Sequence, residues 1–258
     1  MQLRVDEAAR RPPASEAAAC KEVLALYARN RLKFGEKSCM ALRSKSITAS
    51  DLSVLVGANP YMNELQLLRR KFGIDKFEGN EATRHGERYE REALKMYEVV
   101  TGNKAMEEPL GYVWGVPECK HLGFVGCTPD AVLKSMPVLV EIKCPFFNVK
   151  FNEKSKEVPA IYYPQVQCQM AVTGFRECHF VQYRPASIAH EMAMDVTVVK
   201  FDSEWWEKIA VPEILRFWEV MTFAPPPPKL TRQVAVAPRR KRKSSALAEL
   251  SSSETAHI

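Results

Sequence analysis

Residues Val138 to Lys143 alternate on a two-residue period. Val138, Val140 and Ile142 fall on one side and Leu139, Glu141 and Lys143 on the other, which is the pattern of a strand. A second short strand is predicted over Thr128 to Leu133, with Lys134-Ser135-Met136-Pro137 turning the chain between them. Taken as a four-residue hairpin loop, this turn pairs Leu133 with Val138 and sets Asp130 directly opposite Glu141. Cross-strand neighbours on one face have Cβ atoms about 4.5–5.5 Å apart, and like charges there repel. Two carboxylates on one face, with a lysine two positions from the second, call for a cation. A hard divalent ion with oxygen ligands at about 2.0–2.1 Å fits such a gap. A solvated surface hairpin accounts for the same three charges, so the pattern by itself leaves both readings open.

The bulk composition narrows the class of protein. The chain has 258 residues, 46% hydrophobic and 26% charged, enough for a full core. It contains no apolar run near the length of a membrane span, and its first twenty residues lack the apolar segment of a secretory signal. Seven scattered Cys without a C-x-x-C pair argue against a zinc ribbon or an iron–sulfur cluster and for a reducing compartment. The net charge of +6 sits mostly at one end: Lys229 to Ile258 hold seven Lys or Arg and two acids. The remaining body is therefore nearly neutral, and any nucleic-acid patch on it must be local.

Along the chain, Met1 to Pro13 reads as unstructured, and Ser15 to Lys33 as a helix capped by Ser15. Thr48-x-x-Asp51 has the form of a capping box at a helix start. Amides at that start, the Ser50 hydroxyl and the fork of Arg43 could also hold a phosphate. Asn80 to Thr101 is predicted as a long amphipathic helix with Tyr89, Ala93, Met96, Tyr97 and Val100 on its buried stripe. Gly86 lies one turn before Glu90 and leaves room for something to approach; solvated helix glutamates are the common alternative. Arg84, Arg88 and Arg91 on the same helix suit either salt bridges or phosphates. Pro159 to Thr173 is a helix ended by Gly174, with Gln165 and Gln169 stacked at i, i+4. Such glutamines are usually surface residues, but one near a carboxylate cluster can orient a water. Strands follow at His179 to Tyr183 and Glu191 to Phe201, then an aromatic-rich helix over Ser203 to Phe223 that Pro212 could split. The pattern is α/β, a mixed sheet of about five strands flanked by helices. Past Pro225 to Pro228, Arg239-Arg240-Lys241-Arg242-Lys243 reads as a nuclear import signal or a nucleic-acid patch in a disordered tail.

Four blocks in order resemble the YqaJ-type viral recombinases, relatives of phage lambda exonuclease within the PD-(D/E)XK nuclease superfamily. They are L-R-x-x-x-I-T-A-S at Leu42 to Ser50, H-G-x-x-Y-E at His85 to Glu90, T-P-D at Thr128 to Asp130 with E-I-K-C-P-F at Glu141 to Phe146, and Y-x-Q-V-Q-x-Q-M-x-V-T at Tyr163 to Thr173. The likeness spans Leu42 to Tyr183; Ala131 departs from it, standing where glycine is frequent.

The resemblance implies a restriction-endonuclease-like PD-(D/E)XK core at 37–224, after a helical extension at 1–36 and before a basic tail at 225–258. It implies that Asp130, Glu141 and the Ile142 carbonyl hold Mg2+, or Mn2+ in its place, with Glu90 nearby as a further acid. Lys143 would orient or deprotonate the attacking water, and Gln165 would position that water or a phosphate oxygen. Arg43 and Ser50 would grip a DNA 5′-phosphate. The implied activity is a 5′→3′ exonuclease on double-stranded DNA ends in recombination, repair or viral DNA processing. An endonuclease or RNA-cutting nuclease on the same core, and a non-catalytic nucleic-acid-binding factor, are the alternatives. The implied partners are DNA, a single-strand annealing protein and a nuclear import receptor at Arg239 to Lys243; the location is the nucleus, without a membrane.

Overall fold

The computed structural model describes residues 1–10, 21, 23, 25, 26, 28–32, 37–76, 78–106, 111–146 and 157–228. The loop lysines Lys150, Lys154 and Lys156, the Ser15 cap and the basic block Arg239 to Lys243 lie outside them. Residues Met1–Pro227 form one compact unit. No helix among the described residues is long and apolar enough to cross a membrane.

The alternation at Val138–Lys143 builds the strand it predicts, β7, at the centre of the molecule. Strands β6 (Ala131–Val132), β8 (Glu177–Arg184), β9 (Ala193–Lys200) and β1 (Gln2–Val5) complete a five-stranded sheet in the order β1-β9-β8-β7-β6. Pairing is parallel for β1/β9 and β7/β8 and antiparallel for β8/β9 and β6/β7, so the sheet is mixed, as expected. A second sheet, in the order β2-β4-β5-β3, contains β2 (Arg31–Leu32), β3 (Ile47–Thr48), β4 (Tyr112–Trp114) and β5 (Val125–Cys127).

Helices cover both faces of the central sheet. Helix α4 (Glu81–Thr101) begins at Asn80, whose side chain accepts from the Thr83 N–H at 2.9 Å, and ends at Gly102 in the left-handed conformation. Its Ala93 and Tyr97 pack with Val140, Ile142, Val181 and Tyr183. On the other face, Leu139 and Phe180 share a core with Val166 and Met170 of α5 (Tyr163–Thr173) and with Ile47, Val113 and Val125 of the second sheet. Helix α5 carries β7 over to the parallel strand β8, and it is buried nearly all round, Gln167 and Gln169 included. Polar side chains in such a position need internal partners.

The N-terminus departs from expectation. Instead of being unstructured, Gln2–Val5 adds a parallel strand to β9, with Arg4 ion-paired to the buried Asp195. A four-residue strand whose partner is about 190 residues away leaves no local signal. The helix expected to reach Lys33 also stops early. Lys21, Val23, Ala25 and Leu26 are helical, but Arg31–Leu32 pair with β4. Arg29 lies between them and donates to the Val172 carbonyl at 2.7 Å and the Gly115 carbonyl at 2.8 Å. Pro212 does not break the last helix. The chain runs from α6 (Ser203–Trp205) through a π turn at Trp206–Ala210 into α7 (Val211–Phe223), so the wider turn falls just before Pro212, whose ring and missing N–H disturb regular α-helical bonding.

The capping box at Thr48 is present. The Asp51 carboxylate accepts from both the Thr48 N–H and the Thr48 hydroxyl at 2.7 Å, opening a short turn, Ala49–Asp51, that leads into α2 (Leu52–Leu55). Lys71, from the end of α3 (Glu64–Lys71), holds that carboxylate with its ammonium 2.5 Å away and donates to the Ser46 carbonyl at 2.8 Å. The Lys71 side chain is only 8% exposed. Removing one partner of a buried pair leaves the other charge uncompensated, at a cost of about 3–5 kcal/mol. Lys71→Met is therefore expected to lower the urea-unfolding free energy by about that amount; unchanged stability would contradict the buried pairing.

Candidate active site

The turn Lys134 to Pro137 sets the register that determines this site. Ala131 pairs with Val140 and Val132 with Leu139, and the Leu133 N–H donates to the Val138 carbonyl at 3.0 Å. Extending that register by one step brings Asp130 level with Glu141. The bond at Val138 also marks Val138, Val140 and Ile142 as the residues whose backbone groups point toward β6. At Ile142 the strand partner has gone, and the Asp130 carboxylate takes the Ile142 N–H at 2.6 Å. The Ile142 carbonyl belongs to the same strand edge.

Glu141 faces α5 and is 1% exposed. A carboxylate there needs donors, and it has three. Gln165 Nε2 and Lys143 Nζ each lie 2.5 Å from Oε1, and Gln169 Nε2 lies 2.7 Å from Oε2. The i, i+4 spacing puts both amides on one side of α5. The Lys143 ammonium also sits 5.3 Å from the centre of the Tyr162 ring, within cation–π range. Gln169, for which its spacing from Gln165 leaves a surface place and a place beside the carboxylates both open, is as deeply buried as Glu141.

Electrostatics tie Glu90 to this group from α4. Its carboxyl, open to solvent on one side, is raised above the usual range by the protein around it and then by Glu141. Burial first, and Glu141 second, hold the Asp130 carboxyl well above its usual range; Lys143 and the Ile142 N–H pull the other way. Burial works to lower the Lys143 pKa, but Glu141 and Asp130 outweigh it and raise it. Three acids thus crowd one ammonium, and the second oxygen of Asp130 has no hydrogen-bond partner among the described residues. An excess of negative charge on oxygen donors fits a hard divalent cation. Among the described residues no three Asp, Glu, His or Cys groups enclose a common point, so Asp130 and Glu141 would bind such an ion with a backbone carbonyl and solvent. Gly86, one turn before Glu90, has nothing within 4 Å of where a side chain would begin.

Arg43 reaches the segment that carries Asp130. Arg43, in the last turn of α1 (Lys37–Ser44), donates from Nη1 to the Thr128 hydroxyl at 2.5 Å, two residues before Asp130, and lies 5.4 Å from the centre of the Tyr112 ring. Ser50 is exposed, its hydroxyl 3.1 Å from that of Thr48. Tyr112 can support Arg43 because Gly126 has no side chain: a Cβ there would come within 2.3 Å of the Tyr112 hydroxyl and 2.8 Å of the Val113 carbonyl. The Tyr112 hydroxyl bonds Ser46 at 2.6 Å and cannot retreat freely. Gly126→Ala is expected to cost about 1–3 kcal/mol by overpacking, measured as a lowered melting temperature. A variant melting with the wild type would show that this contact is slack.

The YqaJ-like viral recombinase domain matches residues 40–176, more than half the chain. The uncharacterized protein R354 of Acanthamoeba polyphaga mimivirus is 28% identical over 160 residues; the match covers 57% of this chain and 28% of that protein's length. The fold is similar to two structures of LHK-Exo, an alkaline exonuclease from Laribacter hongkongensis. One is a complex with dAMP (TM-score 0.55) and the other has a TM-score of 0.54. Each is 23% identical and covers 72% of this chain and 92% of the exonuclease.

Proposed function

The chain belongs to the YqaJ-like viral recombinase domain family, and from that premise we propose that it is a divalent-metal-dependent deoxyribonuclease, a 5′→3′ exonuclease acting on double-stranded DNA ends. The observation that carries this reading is the meeting of Asp130 and Glu141 at the Ile142 edge with Lys143 bonded to Glu141. Binding alone has no use for acids turned toward phosphates.

Asp130 and Glu141, with the Ile142 carbonyl, are the residues that would hold the ion, Mg2+ or Mn2+ in its place, and Glu90 adds negative charge beside them. When bound, such an ion makes water a stronger nucleophile and relieves charge on the phosphate oxygens. The protein's own groups do the rest. Gln165 and Gln169 keep Glu141 in one rotamer, so its geometry is set before substrate arrives. Lys143, held as an ammonium by the two acids, offsets the negative charge that develops on the phosphorus oxygens and orients the attacking water. Gln165, less buried than Gln169, positions the water or a phosphate oxygen. Arg43 and Ser50 receive the 5′-phosphate, with Thr128 linking Arg43 to the segment between β5 and β6 that carries Asp130.

Recombination, repair or viral DNA processing is the setting proposed, alongside a single-strand annealing protein. The basic block Arg239 to Lys243 is proposed to bind an import receptor and direct the protein to the nucleus. The test is cleavage of 5′-labelled linear duplex in Mg2+, with a covalently closed circle of the same sequence beside it. Release of labelled mononucleotides from the linear substrate alone is expected. Cutting of the circle would make the enzyme an endonuclease, and no cutting of either, with binding retained in Ca2+, would make the protein a binding factor.

A further inference from the structure

Three glutamines alternate along α5, at positions 165, 167 and 169, and the fold uses them in two ways. Gln167 points away from Glu141. Its amide donates to the Lys200 carbonyl at 2.9 Å and its carbonyl accepts from the Asp202 N–H at 2.8 Å. Both ends are satisfied by backbone at the junction of β9 and α6, the arrangement of a residue that fastens two elements.

Gln169 is different. It is 1% exposed and gives its amide to Glu141 Oε2, while its own carbonyl oxygen, also shut off from solvent, has no partner among the described residues. A residue present for packing would be better as methionine, which has nearly the same volume and no polar atom to leave unpaired. Turning the amide over would relieve nothing, because it would set the carbonyl oxygen against the Glu141 carboxylate. The fold tolerates one buried unpaired acceptor in order to put one donor on Glu141.

That donor sits where Gln165 and Lys143 do not reach. Those two share Oε1, so among the described residues only Gln169 engages Oε2. With both oxygens tied, Glu141 cannot rotate about its terminal bond, and the remaining acceptor direction of Oε2 is fixed. Outer partners of metal-binding carboxylates act in this way, and losing one typically weakens ion binding or activity about 10–100-fold.

We propose that Gln169 is a positioning residue: it locks the second oxygen of Glu141 so that this carboxylate presents a single orientation to a divalent cation shared with Asp130. This rests on the nuclease reading for its purpose, but it can be measured without cleavage. Titrating the full-length protein with Mn2+ and following bound ion by calorimetry should show Gln169→Met binding about 10–100-fold more weakly than wild type; its melting temperature should fall as well, because the buried Glu141 Oε2 loses its donor, so ion affinity is the deciding readout. Gln167→Met should also melt lower, because the Lys200 carbonyl and Asp202 N–H lose their partners, but with Mn2+ affinity unchanged. On linear duplex in Mn2+, Gln169→Met should reduce kcat at subsaturating ion and leave KM for DNA alone.

Equal Mn2+ affinity in Gln169→Met and wild type overturns the assignment, as does a wild type that binds no Mn2+. A wild type that binds Mn2+ without cutting DNA overturns the nuclease reading but not the assignment, provided Gln169→Met still binds the ion more weakly. If Gln169→Met unfolds, Gln169→Leu takes its place under the same criteria.

Discussion

Exchange of Lys143 for methionine is expected to slow hydrolysis of linear duplex in saturating Mg2+ about 10²–10³-fold, the usual cost of removing one preorganised group that stabilises developing charge. Duplex affinity in Ca2+ should stay as in wild type. Methionine keeps an unbranched apolar side chain of similar length and removes the ammonium. Glu141 then retains the two glutamine donors at 2.5 and 2.7 Å, so the buried carboxylate is not abandoned and the fold survives. The loss should therefore appear in kcat, since the ammonium meets charge that exists only as the phosphate reacts. Rate and affinity falling together would instead make Lys143 a DNA-binding residue, and an unchanged rate would remove it from the chemistry.

The second large effect concerns the end of the substrate. Arg43→Ala is expected to slow digestion of 5′-phosphorylated duplex about 10–100-fold, in line with the roughly 1.5–3 kcal/mol carried by a hydrogen bond to a charged group. Digestion of the same duplex with a 5′-hydroxyl should hardly change. Wild type should accordingly prefer the phosphorylated end, and Arg43→Ala should lose that preference. The neighbouring Thr128 hydroxyl and Tyr112 ring hold the guanidinium near the strand that leads to Asp130, so a phosphate held by Arg43 would lie close to the acids. A variant equally impaired on both ends would show that Arg43 supports the fold rather than the end. Ser50→Ala, lacking only a hydroxyl, should shift the preference in the same direction by less.

The central hairpin was legible because its determinants are local. Four turn residues set the register of Asp130 against Glu141, and a two-residue period turned Glu141 and Lys143 to one side. Helix α4 was equally plain, having Asn80 to start it, Gly102 to stop it and an apolar stripe between. What the sequence hid was non-local. Gln2–Val5 is too short to announce a strand, and its partner β9 lies at the far end of the chain. Arg29 ends its helix by reaching carbonyls of two distant segments. Gln169 was visible by spacing, yet its contact with Glu141 depends on how α5 packs on β7, which no local pattern reports. Lys71 is one of three basic residues ending α3, and only the fold brings it to Asp51.

The account turns on one shared ion, and a crystal soaked in Mn2+ and measured at the manganese edge tests this most directly. One anomalous peak between the Asp130 and Glu141 carboxylates is predicted, within about 2.0–2.6 Å of an oxygen from each, the range of hard-cation bonds. It should vanish in Glu141→Ala. A peak elsewhere on the protein, or Mn2+ touching one of the two acids without the other, would contradict it.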